Sequence, residues 1–133
     1  MNRFLLDTNV CIAMLAGNPE ILARVRKVGT NALILCAPVK AELWFGACKS
    51  QQVVENQISL NLFFNDLSSL DFDDSAAEHF GEIRAFLTSR GTPIGPYDMQ
   101  IAAIARANDL ILVTHNTREF LRVPGLKVED WQM

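Results

Sequence analysis

The stretch "RFLLDTNVCI", residues 3–12, runs apolar from Phe4 to Leu6, meets a carboxylate at Asp7, and turns polar at Thr8 and Asn9. So short an apolar run reads as a buried strand, and an acid at its end has two physical meanings. Asp is a favoured helix N-cap, and the following residues suit a helix from about Asn9 to Leu15. The carboxyl end of a parallel strand is also where open α/β sheets assemble their sites. The neighbouring elements decide whether such a sheet exists.

Outward from this stretch, strand and helix patterns alternate. Gly17 and Asn18 stop the first helix, and Pro19 opens "PEILARVRKV", whose Ile21, Leu22, Val25 and Val28 share one face. A strand "ALILCA" precedes a helix starting at Pro38, "PVKAELWFGACKS"; a further helix in "QQVVENQISLNLFFNDL" follows from the spacing of Val53, Val54, Ile58, Leu62 and Phe63. "SSLDFD" predicts a brief strand, after which Asp73 or Asp74 caps the helix "SAAEHFGEIRAFLTSRG", ending at Gly91. The Pro/Gly-rich "TPIGP" leads into the helix "YDMQIAAIARAND", then a continuously apolar strand "LILVT", a turn-like "HNTREF" and a last strand near "LKVED". Such alternation predicts an α/β fold with a parallel sheet and helices on both faces. With 133 residues, half of them hydrophobic, one globular domain is expected.

Composition narrows the function. No apolar run reaches the roughly 18 residues of a membrane span, and the N-terminus lacks signal-peptide order, so a cytoplasmic location without membrane contact is expected. Cys11, Cys36 and Cys48 are odd in number, widely spaced and without a CxxC pair, which favours buried free thiols over a zinc site. A formal charge of −3 and a pI near 5.3 argue against binding nucleic acid mainly by neutralising phosphates. An acidic site that recruits a divalent cation escapes that argument, because the ion reverses the local charge.

Three acids are candidates for such a site. Asp7 ends the first strand, Glu42 lies within the apolar helix "APVKAELWFGAC", and Asp98 stands at the start of "YDMQIAAIA". Each has a bland alternative: Asp7 as an N-cap, Glu42 as a solvated helix residue beside Lys40, Asp98 as a partner of the helix dipole. Together with the Thr114–Asn116 turn after a second apolar strand, they are placed to converge at the sheet's carboxyl edge. Carboxylates crowded there repel unless protonated or bridged by cations, which points to Mg2+ or Mn2+.

"LLDTN", Glu42 in the third helix, "GPYDMQIAAIA" and "LVTHNTREF" together resemble the PIN-domain ribonucleases, and most closely the VapC toxins of bacterial toxin–antitoxin pairs. The resemblance spans the chain and implies a single PIN domain over 1–133, a three-layer fold with a central, mostly parallel sheet flanked by helices. By position, Asp7, Glu42 and Asp98 match the family's principal acids, which bind one or two divalent ions, Mg2+ or its substitute Mn2+. Asn116 stands where a fourth acid is usual, leaving Asn116 itself or Glu119, one helical turn on, as further candidate catalytic groups. Thr8, Asn9 and Thr114 are candidates to steady the acids or a water, Thr8 and Asn9 having as their alternative the first turn of the following helix. The implied activity is hydrolysis of RNA by water, leaving 5′-phosphate and 3′-hydroxyl ends, with tRNA, initiator tRNA near its anticodon first, as substrate and translation arrest as consequence. Implied partners are a cognate VapB antitoxin and a second copy of the chain in a larger complex, with operator DNA reached only through the antitoxin.

Other classes fare worse. A haloacid-dehalogenase-like phosphatase needs a second Asp where Asn9 stands, and a dinucleotide-binding turn needs glycines that "DTNVC" lacks. A metal-free ribonuclease built on His79 and His115 requires two residues that nothing in the sequence brings together. The remaining rival is a PIN-like RNA- or protein-binding scaffold that lost catalysis, the departure at Asn116 being its motive. Trp44, Phe45, Phe63 and Phe64 read as core or partner contacts, with "LWFGAC" and "ISLNLFF" a groove for an antitoxin segment or ordinary core packing. The basic residues, Arg24, Arg26 and Lys27 among them, read mostly as a solvated face.

Overall fold

A computed structural model describes residues 2–132. Its sheet has five strands, all parallel, in the order β3-β2-β1-β4-β5: β1 Phe4–Leu6, β2 Leu33–Cys36, β3 Ser68–Leu70, β4 Ile111–Val113 and β5 Lys127–Glu129. The helices are α1 Thr8–Leu15, α2 Pro19–Val28, α3 Ala37–Cys48, α4 Val53–Asn65, α5 Asp74–Ser89, α6 Pro96–Ala107 and α7 Thr117–Phe120, with one 3₁₀ turn at Thr30–Ala32.

The first strand is the axis of the sheet. Phe4 lies opposite Leu33 on one side and Ile111 on the other, so β1 is hydrogen-bonded along both edges. Leu5, Leu6, Ile34, Leu35 and Leu112 are fully buried, as strands covered on both faces by helices must be. Beyond β1 the chain winds outward through β2 and β3, then crosses back to place β4 on the other side. That reversal puts the topological switch point between β1 and β4, where open parallel sheets leave a crevice at their carboxyl edge.

Local chemistry sets the boundaries. Asn18 caps α2, its side chain accepting from the backbone N–H of Glu20 and Ile21, and Gly29, with φ 84°, ends that helix in a conformation that favours glycine. Of the two candidate caps for α5, Asp73 accepts from the Ala76 N–H at 2.9 Å, while Asp74 is the first helical residue.

Two expectations need correction, and a third element, the expected helix α4, carries an unexpected surface. "HNTREF" is more than a turn: Thr117–Phe120 forms one helical turn because Phe120 is buried in the core. Cys11 and Cys36 are buried thiols, but Cys48, at the last turn of α3, is exposed. Val54, Ile58 and Leu62 of α4 form an i, i+4 stripe that faces solvent, the helix's buried contact being Leu60. Among the described residues no helix is long and apolar enough to cross a membrane.

Candidate active site

Asp7 answers to both meanings of its position. Its backbone N–H donates to Val113 O at 2.9 Å, extending the strand pairing, while its carbonyl accepts from Cys11 N at 3.1 Å in the first turn of α1. The side chain is 5% exposed; Oδ1 accepts from Thr8 N at 2.8 Å and Oδ2 from Thr114 Oγ1 at 2.7 Å. Burial pushes this carboxyl above its ordinary pKa, against the opposing pull of the Thr114 and Thr8 bonds.

Glu42 is in the second turn of α3, on the helix leaving β2. Burial raises its pKa first; the Thr8 hydroxyl opposes the rise, and the charge of Asp7 adds to it. Thr8 Oγ1 is buried near this carboxylate without a hydrogen-bond partner at bonding geometry. The expected neighbour, Lys40, instead lies over the Phe64 ring, 5.0 Å from its centroid.

Asp98 is the third residue of α6 and half-buried. Its pKa is pushed up to about 6, by burial first and then by the charges of Asp7, Glu42 and Glu119. Asp7 just past β1, Glu42 in α3 and Glu119 in α7 therefore all act on Asp98 in α6. Asn116 belongs to this group differently: its N–H donates to Thr114 Oγ1 at 3.0 Å, and its Nδ2 donates to Glu119 Oε2 at 3.2 Å. Asn9 faces the same loop, its Oδ1 accepting from His115 N at 3.3 Å.

Among the described residues, no Lys, Arg or His forms an ion pair with Asp7, Glu42, Asp98 or Glu119. Nor, among those residues, are three such side chains gathered tightly enough to form a finished metal cage. The donor set is nevertheless the one a hard divalent cation takes, all oxygen, and such an ion would offset both the burial of these carboxylates and the repulsion that adds to it at Glu42 and Asp98. The adjacent thiols suit neither ligation nor attack: burial holds Cys11 far above the ordinary thiol range and pushes Cys36 up to about 12, so both stay protonated.

The two histidines are held apart by different partners. His79 Nδ1 in α5 accepts from Arg106 Nε in α6 at 2.8 Å, whereas His115 Nδ1 sits 3.1 Å from Asp130 Oδ2. Neither pairing was legible in the sequence, since each joins residues on different elements. A groove of about 410 Å³, largely apolar, is lined by Ile12, Leu15, Leu43 and Leu60, with Glu42, Asn56 and Ser59 as its polar residues. Core packing is what the structure shows for part of this region: Trp44 and Phe64 pack edge to face at 5.5 Å against the core, while Phe45 is exposed.

The PIN domain family model matches residues 4–126. The chain is 41% identical over 131 residues to the tRNA(fMet)-specific endonuclease VapC of Salmonella typhimurium, covering 98% of this chain and 99% of that protein. It is 41% identical over 134 residues to Ribonuclease VapC2 of Haemophilus influenzae, with 98% and 99% covered. Among solved structures, DNA-bound VapBC from Salmonella typhimurium superposes with a TM-score of 0.92 at 42% identity, covering 98% of this chain and 99% of that one. VapBC2 from Rickettsia felis, bound to a DNA fragment from its promoter, superposes with a TM-score of 0.86 at 34% identity, with 96% and 98% covered.

Proposed function

The chain belongs to the PIN-domain family, among its VapC ribonucleases, and from that premise we propose that it is a Mg2+-dependent endoribonuclease toxin that cuts tRNA and is silenced by a VapB-type antitoxin. The observation that carries the proposal is the crowding of Asp7, Glu42 and Asp98 around one crevice, with none of them paired to a cation among the described residues. Asp7, Glu42 and Asp98 are the residues that would hold Mg2+, or Mn2+ in its place. When bound, the ion supplies positive charge for the developing oxyanions and acidifies water.

The chain's own groups do the rest. Thr114 and Thr8 N–H hold the Asp7 carboxylate in one orientation, each engaging one of its oxygens. Asn116 holds Glu119 toward Asp98, which makes Glu119 the fourth acid of the site and Asn116 its positioning residue. Water attacks phosphorus in line and the 3′-oxygen leaves, giving 5′-phosphate and 3′-hydroxyl ends; no protein nucleophile takes part.

Initiator tRNA is the first substrate to test, because a relative of 41% identity carries tRNA(fMet) specificity in its name. A VapB-type partner, a second toxin copy and operator DNA held through the antitoxin follow from likeness to DNA-bound VapBC complexes, with the groove beside Glu42 as the place for an antitoxin segment. The cytoplasm, where tRNA is found, is the location that goes with this reading.

The test is incubation of the antitoxin-free chain with total bacterial tRNA and Mg2+, with EDTA and Asp7→Asn as controls and end-sequencing as readout. Discrete cuts that vanish in both controls are expected. Cuts with 2′,3′-cyclic ends overturn the mechanism, and RNA binding without any cut favours the non-catalytic scaffold.

A further inference from the structure

His115 leaves the crevice in an unusual arrangement. Its backbone lies between Thr114, which holds Asp7, and Asn116, which holds Glu119, and its own N–H is taken by Asn9. Its ring turns to the end of β5, where Nδ1 lies 3.1 Å from Asp130 Oδ2 and 3.3 Å from Oδ1. The His115 side chain is 58% exposed and that of Asp130 only 9%. Asp130 Oδ1 also accepts from Gln132 N at 2.9 Å, so the carboxylate is itself immobilised.

A carboxylate acceptor on Nδ1 selects the tautomer that carries its proton there, and in the neutral ring this makes Nε2 an acceptor. With Nδ1 directed inward, Nε2 lies on the exposed side. Burying a carboxylate is costly, and tethering the last residues does not require it. Trp131 already anchors that segment: it is 1% exposed and packs edge to face on Phe4 at 5.2 Å. The pair follows β4 and β5, the strands next in line from β1, and neighbouring strands lie roughly 4.8 Å apart. The imidazole thus stands within a nucleotide or two of the acids.

We propose that His115 is a substrate-contacting residue whose Nε2 accepts a hydrogen bond from RNA beside the cut phosphate, and that Asp130 is the positioning residue that presents it. This rests on the ribonuclease reading above. The donor on the RNA is a ribose 2′-hydroxyl or a base N–H.

The experiment is steady-state cleavage of tRNA by the full chain as wild type, His115→Ala, Asp130→Ala, Asp130→Asn and the double alanine variant, with melting curves for each. His115→Ala should raise KM about five- to tenfold, the worth of one net hydrogen bond, with a smaller change in kcat. Asp130→Ala should do nearly the same and add nothing to His115→Ala, while Asp130→Asn, which keeps an acceptor for Nδ1, should recover most of the loss. Single 2′-deoxy substitutions around the cut identify the donor: a penalty that disappears at one position assigns the 2′-hydroxyl, and one that persists at all assigns the base. An unchanged KM in folded His115→Ala, or additive losses in the double variant, overturns the proposal. If the wild type cuts nothing, the ribonuclease reading fails, and anisotropy of labelled tRNA with the same variants still decides this contact. A wild type that binds no tRNA overturns both.

Discussion

The two ends of α6 carry polar clusters of opposite character. At the C-terminal end Arg106, with a side chain 16% exposed, donates from Nε to His79 Nδ1, from Nη2 to Glu82 Oε1 at 2.6 Å and from Nη1 to Pro124 O at 3.1 Å. Its charge is answered by a carboxylate and its donors by acceptors from two other segments. At the N-terminal end Asp98 meets the charges of Asp7, Glu42 and Glu119 and no cation among the described residues. The first cluster is complete and stabilises the packing of α5 on α6. The second is incomplete and becomes balanced only when something positive enters. Within one helix, the satisfied cluster serves packing, and the unsatisfied one is where the ion is proposed to bind.

If that contrast holds, damage at the two ends separates activity from stability. The largest effect is expected at the acids: Asp7→Asn keeps the cap and the Thr114 contact but loses a charge, so cleavage should fall by more than about 100-fold, beyond what loss of a supporting partner costs a metal site. Its melting temperature should not fall, because a buried carboxyl with a raised pKa is a destabilising charge; calorimetry beside a cleavage assay reads both.

Next, Mg2+ at 100 times its dissociation constant should stabilise the wild type by about 2.7 kcal/mol and leave Asp7→Asn nearly unmoved. Equal shifts in thermal melts of the two proteins would remove the ion from this crevice. At the other end of the helix, Arg106→Ala should cost about 0.5–1.5 kcal/mol in urea unfolding, chiefly through the lost hydrogen bond to half-buried His79, while cleavage per folded molecule persists.

The smallest effect is a pH dependence of the metal-free fold. Asp98 holds its proton up to about 6 when folded, against 3.8 as the ordinary value, so between those limits the folded state binds more protons than the unfolded. This contribution is fully present below 3.8 and is lost as pH rises through 6. Melting of the EDTA-treated chain should therefore rise on acidification from pH 7 toward that range, less so in Asp98→Asn. A profile unchanged by that substitution would mean that neither burial nor the neighbouring acids raise the Asp98 carboxyl.

Much of the molecule is legible along the chain because short-range rules wrote it. The period of the apolar residues, Pro19 and Pro38 near helix starts and Gly91 just past a helix end delimit elements the structure reproduces within a residue or two. The acids stood out for the same reason: Asp7 follows a buried strand, and Asp98 opens a helix. The exceptions are where a pattern shows an apolar stripe but not what lies opposite. The spacing of Val54, Ile58 and Leu62 is that of a packed face, yet no element of the described chain covers it. Asn116 stands where the resemblance leads one to expect a fourth acid, and the sequence does not show that the fold pairs its Nδ2 with Glu119.

By itself, then, the sequence determined the alternation of elements and the parallel sheet, because periodicity and capping depend on neighbours in the chain, and its motifs carried the resemblance to the family that the comparisons bear out. Only the tertiary structure decided who meets whom. Thr114 reaches Asp7 across 107 positions, His115 reaches Asp130, and Arg106 finds His79, each through the order in which strands and helices pack. Strand order is set by long-range burial of apolar faces, and the polar contacts that make a site are its by-product, invisible to any local pattern.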